Sequence, residues 1–188
     1  TVVLILALAV VAMAAVSAWA TGTPAGTIIK NTATLNYKDV NGNAKQQLTA
    51  YVETTVLTKR GVDVTPAGYT TALTNEDKVT EYAFAVTNTG NADDTLALSV
   101  AGLDSAWTYE ILWDANGNGM WDLGEETDVT TTGLLAQDTS YKVIVRVTAP
   151  ATADYNGSDT VTLTATSSDG TTKDTGVVNV TVSSANVT

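Results

Sequence analysis

The sequence predicts a mainly β chain: an antiparallel β-sandwich preceded by a long β-hairpin and an N-terminal apolar α-helix. Three observations lead there. Residues 2–20 hold no charge, no proline and no glycine, a run long enough for a membrane-spanning or buried helix. Residues 27–58 read as two alternating arms joined at Asn41-Gly42, a strong hairpin signal because both residues tolerate positive φ. From Val62 onward, short runs of alternating Val, Thr and aromatic residues recur with polar turns between them, and no helical period competes.

Taken in order, the apolar run comes first. As a helix it would extend about 30 Å at 1.5 Å per residue. Val2, Leu4, Ile5, Leu6, Leu8, Val11, Ala15 and Trp19 are expected to serve as the residues of an assembly helix. Ala7, Ala9, Ala12, Ala14, Ala15, Ser17 and Ala18 are small enough to let helices approach closely. Two other readings stand beside it. Ala18-Trp19-Ala20 has the small-x-small form of a signal peptidase site, and the run is also long enough for a plain anchor with Trp19 at the membrane interface. Residues 21–26, rich in Gly, Pro and Thr, read as a hinge that stops the helix at Pro24.

On the first hairpin arm Ile29, Ala33, Leu35 and Tyr37 share one face, with Lys30, Thr32, Thr34 and Asn36 on the other. The return arm carries Leu48, Ala50, Val52 and Val56 on one face. A two-stranded ribbon is marginal alone, so this one must pack on its own domain or on a neighbouring subunit. Lys59-Arg60-Gly61 marks the boundary to a sandwich over 61–184. Its expected strands carry Val62 and Val64; Tyr82, Phe84 and Val86; Leu96, Leu98 and Val100; Trp107, Tyr109, Ile111 and Trp113; Tyr141 to Val147; Val161 to Ala165; and Val178 to Val182. The Trp and Tyr residues are read as core.

The segments AGTIIKNTATLNYKDVNGNAK and VTEYAFAVTNTGNADDTLALSV resemble the bacterial and archaeal surface proteins built from immunoglobulin-like conserved repeats of unknown function. That resemblance spans residues 25–184 and implies an immunoglobulin-like sandwich in an extracellular, wall- or filament-associated module. An apolar helix leading directly into a β-domain resembles processed type IV pilins and archaellins. Many bacterial type IV pilins have Glu at the fifth mature position; here it is Ile5, a departure that shifts the resemblance toward the archaeal relatives, which generally lack that Glu. The pilin resemblance implies an N-terminal helix that anchors the subunit in the membrane before assembly and then packs in a filament core.

Composition narrows the function. Twenty acidic against nine basic residues give a net charge of −11. Neutralising phosphates needs Lys and Arg, so nucleic acid is an unfavourable partner. Acidity favours solubility and divalent cations instead. The chain has no histidine and no cysteine, which removes the usual general base, the triad imidazole, the commonest zinc ligands and any disulfide. No nucleophile elbow, P-loop or dinucleotide fingerprint is present, and the expectation is a protein that is not an enzyme.

One stretch carries chemistry. Residues 114–125 match the calcium-loop pattern Asp-x-Asn-x-Asn-Gly-x5-Glu. Calcium takes six to eight hard oxygens in a flexible shell. Asp114, Asn116 and Asn118 would supply side-chain oxygens, Met120 its carbonyl, Asp122 an oxygen directly or through water, and Glu125 a bidentate closure. Gly119 permits the sharp turn. The flanks are strands, so this is not an EF-hand module; the loop resembles those in the B repeats of staphylococcal serine-aspartate adhesins. The competing reading is an Asn/Gly-rich hairpin tip with solvated carboxylates. Asn156, Asn179 and Asn186 begin Asn-x-Ser/Thr sequons, so glycans are a possible modification, and Asn179 should face solvent by parity.

The leading functional expectation is a structural subunit of an extracellular, pilus-like filament that polymerises with copies of itself through its N-terminal helix, the β-domain outside. The alternative is a secreted or membrane-anchored surface and adhesion module whose residues 1–20 are a signal peptide or anchor. A glycosidase using paired carboxylates is a third reading, and Asp114 and Glu125 suit a metal better.

Overall fold

In a computed structural model of the chain, the structure describes residues 22–74, 79–125, 127–151 and 157–183. Eleven strands account for the regular structure of these residues: β1 (Ile28–Leu35), β2 (Leu48–Thr55), β3 (Val62–Thr65), β4 (Gly68–Thr74), β5 (Val79–Asn88), β6 (Asp94–Ala101), β7 (Thr108–Trp113), β8 (Thr131–Leu135), β9 (Ser140–Thr148), β10 (Ser158–Thr166) and β11 (Lys173–Ser183). They form a separate ribbon β1-β2, a five-stranded sheet β4-β11-β10-β6-β8 and a four-stranded sheet β3-β5-β9-β7.

The fold class expected from sequence needs correcting. The described residues are all β, with no helix among them, so the N-terminal apolar α-helix is not supported as part of the fold. The run over 1–20, with Val2, Leu4, Ile5, Leu6, Leu8, Val11, Ala15 and Trp19, lies outside the described residues. The physical reason for the over-reading is general: an uncharged apolar run specifies burial, and hydrophobicity without periodicity does not choose between helix and strand. A second difference is that the sandwich is not purely antiparallel. β4 runs parallel to β11, from Gly68 beside Val177 to Thr74 beside Ser183.

The two sheets close over one core. Val64, Phe84, Val86, Ile111, Val143, Val145 and Val147 come from the four-stranded sheet and meet Leu96, Leu98, Val161, Leu163, Ala165, Val178, Val180 and Val182 from the other. These are the alternate positions of period-two strands, which is why the pattern was legible. The core includes Trp107 and Tyr82, with Tyr69, Tyr109, Trp113 and Tyr141 packed at its margins. Gly176 sits where β11 crosses Phe84; a Cβ there would lie 2.8 Å from the ring's Cδ1, too close to be accommodated without movement.

β1 and β2 pair antiparallel from Ile28 beside Thr55 to Leu35 beside Leu48. Ala33 faces Ala50 and Leu35 faces Leu48, so Ile29, Ala33, Leu35, Leu48, Ala50 and Val52 form one apolar face. The opposite face holds Lys30, Thr32, Thr34, Thr49, Tyr51 and Glu53, with Lys30 paired to Glu53 at 3.3 Å and lying over the Tyr51 ring. At the tip, Asp39 Oδ1 accepts from the N–H groups of Asn41 and Asn43, its Oδ2 pairs with Lys45 at 2.9 Å, and Gly42 takes φ 83°. Every residue of both strands is exposed.

The base of the hairpin is held tightly. Asn91 donates through Nδ2 to the carbonyls of Thr23 and Leu57, accepts the Lys59 N–H on Oδ1, and offers its own carbonyl to Ala25 N–H. Gln137 donates to the Gly22 carbonyl. The described part of the expected hinge, 22–26, is therefore bonded to the sandwich rather than swinging free.

Candidate metal centre

The loop 114–128 leaves β7 at its C-terminal end and returns to β8. Its start is fixed by Asp114 N–H donating to the Lys142 carbonyl of β9 at 3.2 Å. Two consecutive Asx turns follow: Asn116 Oδ1 accepts Asn118 N–H at 2.9 Å, and Asn118 Oδ1 accepts Met120 N–H at 2.8 Å. Gly117 and Gly119 adopt φ of 72° and 82°, conformations that side chains resist. A residue with Cβ at either position would break the turn that brings the donors together.

Four of the predicted ligands are drawn into one loop-internal network. Asp122 Oδ2 accepts from Asn116 Nδ2 at 2.6 Å and from Asn118 Nδ2 at 2.8 Å. Glu125 bridges the two ends of the loop: Oε1 accepts Ala115 N–H at 2.8 Å and Asn116 N–H at 3.4 Å, while Oε2 accepts Asp122 N–H at 2.8 Å. Met120 presents an exposed side chain, leaving only its main chain for ligation. Among the described residues no three acidic side chains converge into a metal-holding group, so a cation here would take much of its shell from amide oxygens, backbone and water.

Asp114 is the anomaly. It is 4% exposed. Its Oδ2 accepts Gly119 N–H at 3.0 Å across the loop, and its Oδ1 is buried with no hydrogen-bond partner. Leaving a buried acceptor unpaired costs on the order of 1–3 kcal/mol, more when it is charged. The carboxylate lines two hollows of the loop, one with Ala115, Asn116 and Gly117, the other with Asn118 and Gly119; Lys142 borders both and donates to the Gly117 carbonyl at 3.3 Å.

Sequence reasoning missed what the loop covers. Leu112 and Ile144 have the parity of the sheet's outer face, yet both are fully buried. The loop lies over this face: Gly119 comes within Cβ contact of Ala83, and Trp121 N–H donates to Glu81 at 3.4 Å. The Arg146 guanidinium sits 5.1 Å from the centre of the Trp121 ring. Arg146 stands opposite both Glu81 and Glu110 in the register and pairs with them at 2.7 and 3.2 Å. The available signal was the unbroken runs Ile111-Leu112-Trp113 and Val143-Ile144-Val145, which interrupt alternation where both faces are covered.

Of the sequons, Asn156 and Asn186 lie outside the described residues. Asn179 is exposed on β11, as parity required, and accepts from Thr160 Oγ1 at 3.1 Å.

The site and fold together define a β-sandwich with an appended, exposed ribbon and an acidic Asn/Gly loop clasped over its outer face. No family model matches the chain. No curated protein matches it either. Solved structures give distant likenesses. A PapD-like domain of human CEP192 aligns at 14% identity and TM-score 0.41, over 66% of this chain and 87% of that one. A family 123 glycoside hydrolase from Clostridium perfringens aligns at 8% identity and TM-score 0.43, over 68% of this chain and only 28% of the hydrolase. AggA, the major subunit of aggregative adherence fimbriae type I from Escherichia coli, aligns at 13% identity and TM-score 0.29, over 67% and 95%. Scores below 0.5 at such identities transfer neither fold nor function.

Proposed function

We propose that this chain is a non-enzymatic structural subunit of an extracellular assembly, and that it associates with copies of itself through the β1–β2 ribbon. The observation that carries this reading is the ribbon's apolar face. Ile29, Leu35, Leu48 and Val52 lie on one side of it and are 46% to 60% exposed, and no other strand of the described residues pairs with either edge. A two-stranded sheet does not sustain such a face in water without a partner.

Charge points to a second copy. Residues 22–58 carry Lys30, Lys38 and Lys45 against Asp39 and Glu53, a net +1 in a chain of −11. The remainder therefore holds −12, and two copies repel everywhere except near the ribbon. The apolar face itself bears no charge, so it meets its counterpart without opposition. The two free edges of β1 and β2 let the contact continue beyond a pair, and head-to-tail contacts that do not close give filaments. The absence of His and Cys supports a structural rather than catalytic role.

The test is sedimentation and electron microscopy of the 188-residue chain over a concentration series. Leu35→Lys combined with Val52→Lys should keep the chain monomeric, whereas Thr32→Lys combined with Thr49→Lys, on the polar face, should leave association intact. Wild-type protein that stays monomeric at every concentration, or an apolar-face variant that assembles normally, would sink the proposal.

A further inference from the structure

We propose that the 114–125 loop is a calcium site centred on Asp114, and that the ion fixes Trp121 against the outer face of the four-stranded sheet. The observation that carries this is the unpartnered, buried Asp114 Oδ1, held in the loop by the bond from Gly119 N–H to the other oxygen. The amide orientations beside it are fixed: the Asn116 and Asn118 nitrogens donate to Asp122, and their oxygens accept the N–H groups of Asn118 and Met120. Each of those amide oxygens keeps a second lone pair with which to meet a cation.

The donor set selects the metal. The oxygens on offer are the buried Asp114 carboxylate, the amides of Asn116 and Asn118, the Met120 carbonyl and water, with the Asp122 and Glu125 carboxylates in the same loop but not converged with Asp114. With no His or Cys in the chain, zinc and copper find none of their preferred ligands. A loop of Asx turns and glycines gives a variable shell, which suits calcium; magnesium demands near-ideal octahedral geometry. Glu125 already ties the loop ends together, and Lys142 at the rim donates to the Gly117 carbonyl. Trp121 follows Met120 directly, so ordering that segment orders a residue whose main-chain N–H donates to Glu81 and whose ring faces Arg146.

The experiment is a titration of the chelator-treated chain with calcium chloride, at a concentration where it is monomeric, so the outcome is independent of self-association. Calorimetry and tryptophan emission should both report one saturable site, and the melting temperature should rise with calcium by mass action. Magnesium at the same concentration should produce neither change. Asp114→Asn and Glu125→Gln should each weaken binding at least tenfold, while Asp169→Asn, in an unrelated Asx turn, should bind as wild type. Absence of heat, emission change and thermal shift in the wild type overturns the proposal. So does wild-type affinity in Asp114→Asn, or in Glu125→Gln should Asp114→Asn fail to fold.

Discussion

Asp94 shows how a buried acid is kept charged in this sandwich. It is 2% exposed, at the start of β6. Its carboxylate accepts from Ser167 Oγ, from the N–H of Ser168 at 3.2 Å and from the N–H of Thr95 at 2.8 Å, and it lies 3.4 Å from Arg60. Burial alone would raise its pKa, but the hydrogen bonds from Ser167, Ser168 and Thr95 outweigh burial and hold it below the usual 3.8. The sign follows from linkage. A depressed folded value means stability that is fully present above the unfolded value and lost as pH falls through the folded one. Asp169 behaves alike in its exposed turn: hydrogen bonds from Thr172 and Thr171 bring it down to about 2. Acid unfolding should therefore develop below about pH 4, in the window between these values. Asp94→Asn should lose roughly 1–3 kcal/mol at pH 7. Urea unfolding at several pH values should show the gap between variant and wild type closing below pH 4; a gap that persists at pH 2 counts against the ionised pair. None of this was legible beforehand. The partners of Asp94, Ser167 and Ser168, are more than seventy residues away.

At the scale of elements, Asn91 ties the ribbon to the sandwich through its bonds to Thr23, Leu57 and Lys59, with Gln137 adding one to Gly22. Gly90 beside it is required by close approach, since a Cβ there would lie 2.7 Å from the Lys59 carbonyl. Asn91→Ala should release the base of the ribbon and leave the core alone. Hydrogen-exchange mass spectrometry should show faster exchange at 23–27 and 56–61 with little change in β5, β9 and β10; unchanged exchange at the base would refute this role. The hairpin was readable because Asn41-Gly42 and the alternating arms fix its register with local information only. β4 and β8 were not. β4 gains its place from parallel pairing with β11, and β8 is interrupted by Gly133 at φ 66° with a register shift opposite Thr95 and Ala97. The ligand pattern at 114–125 was visible as spacing, but its packing over Leu112 and Ile144 was a tertiary fact that only the broken alternation hinted at.

Across the whole molecule, charge and apolar surface are divided unequally, with a near-neutral ribbon on a strongly acidic sandwich. Two opposing salt responses follow from two possible modes of association. If copies meet through the apolar faces of their ribbons, the dominant electrostatic term is repulsion between bodies of −12, and salt screens it. If instead the +1 ribbon docked by attraction on the acidic body of the next copy, salt would weaken the contact. The apolar face carries no charge, so the proposed face-to-face contact predicts the first response. Association measured by light scattering should rise as sodium chloride increases from about 0.01 to 0.5 M, because the Debye length shortens from about 30 Å to a few ångströms. A fall over that range would reject the face-to-face contact. Calcium chloride at matched ionic strength separates the two ion effects. Screening alone gives the same curve as sodium, whereas an ion held at Asp114 removes local negative charge at low concentration and shifts association before the ionic strength changes.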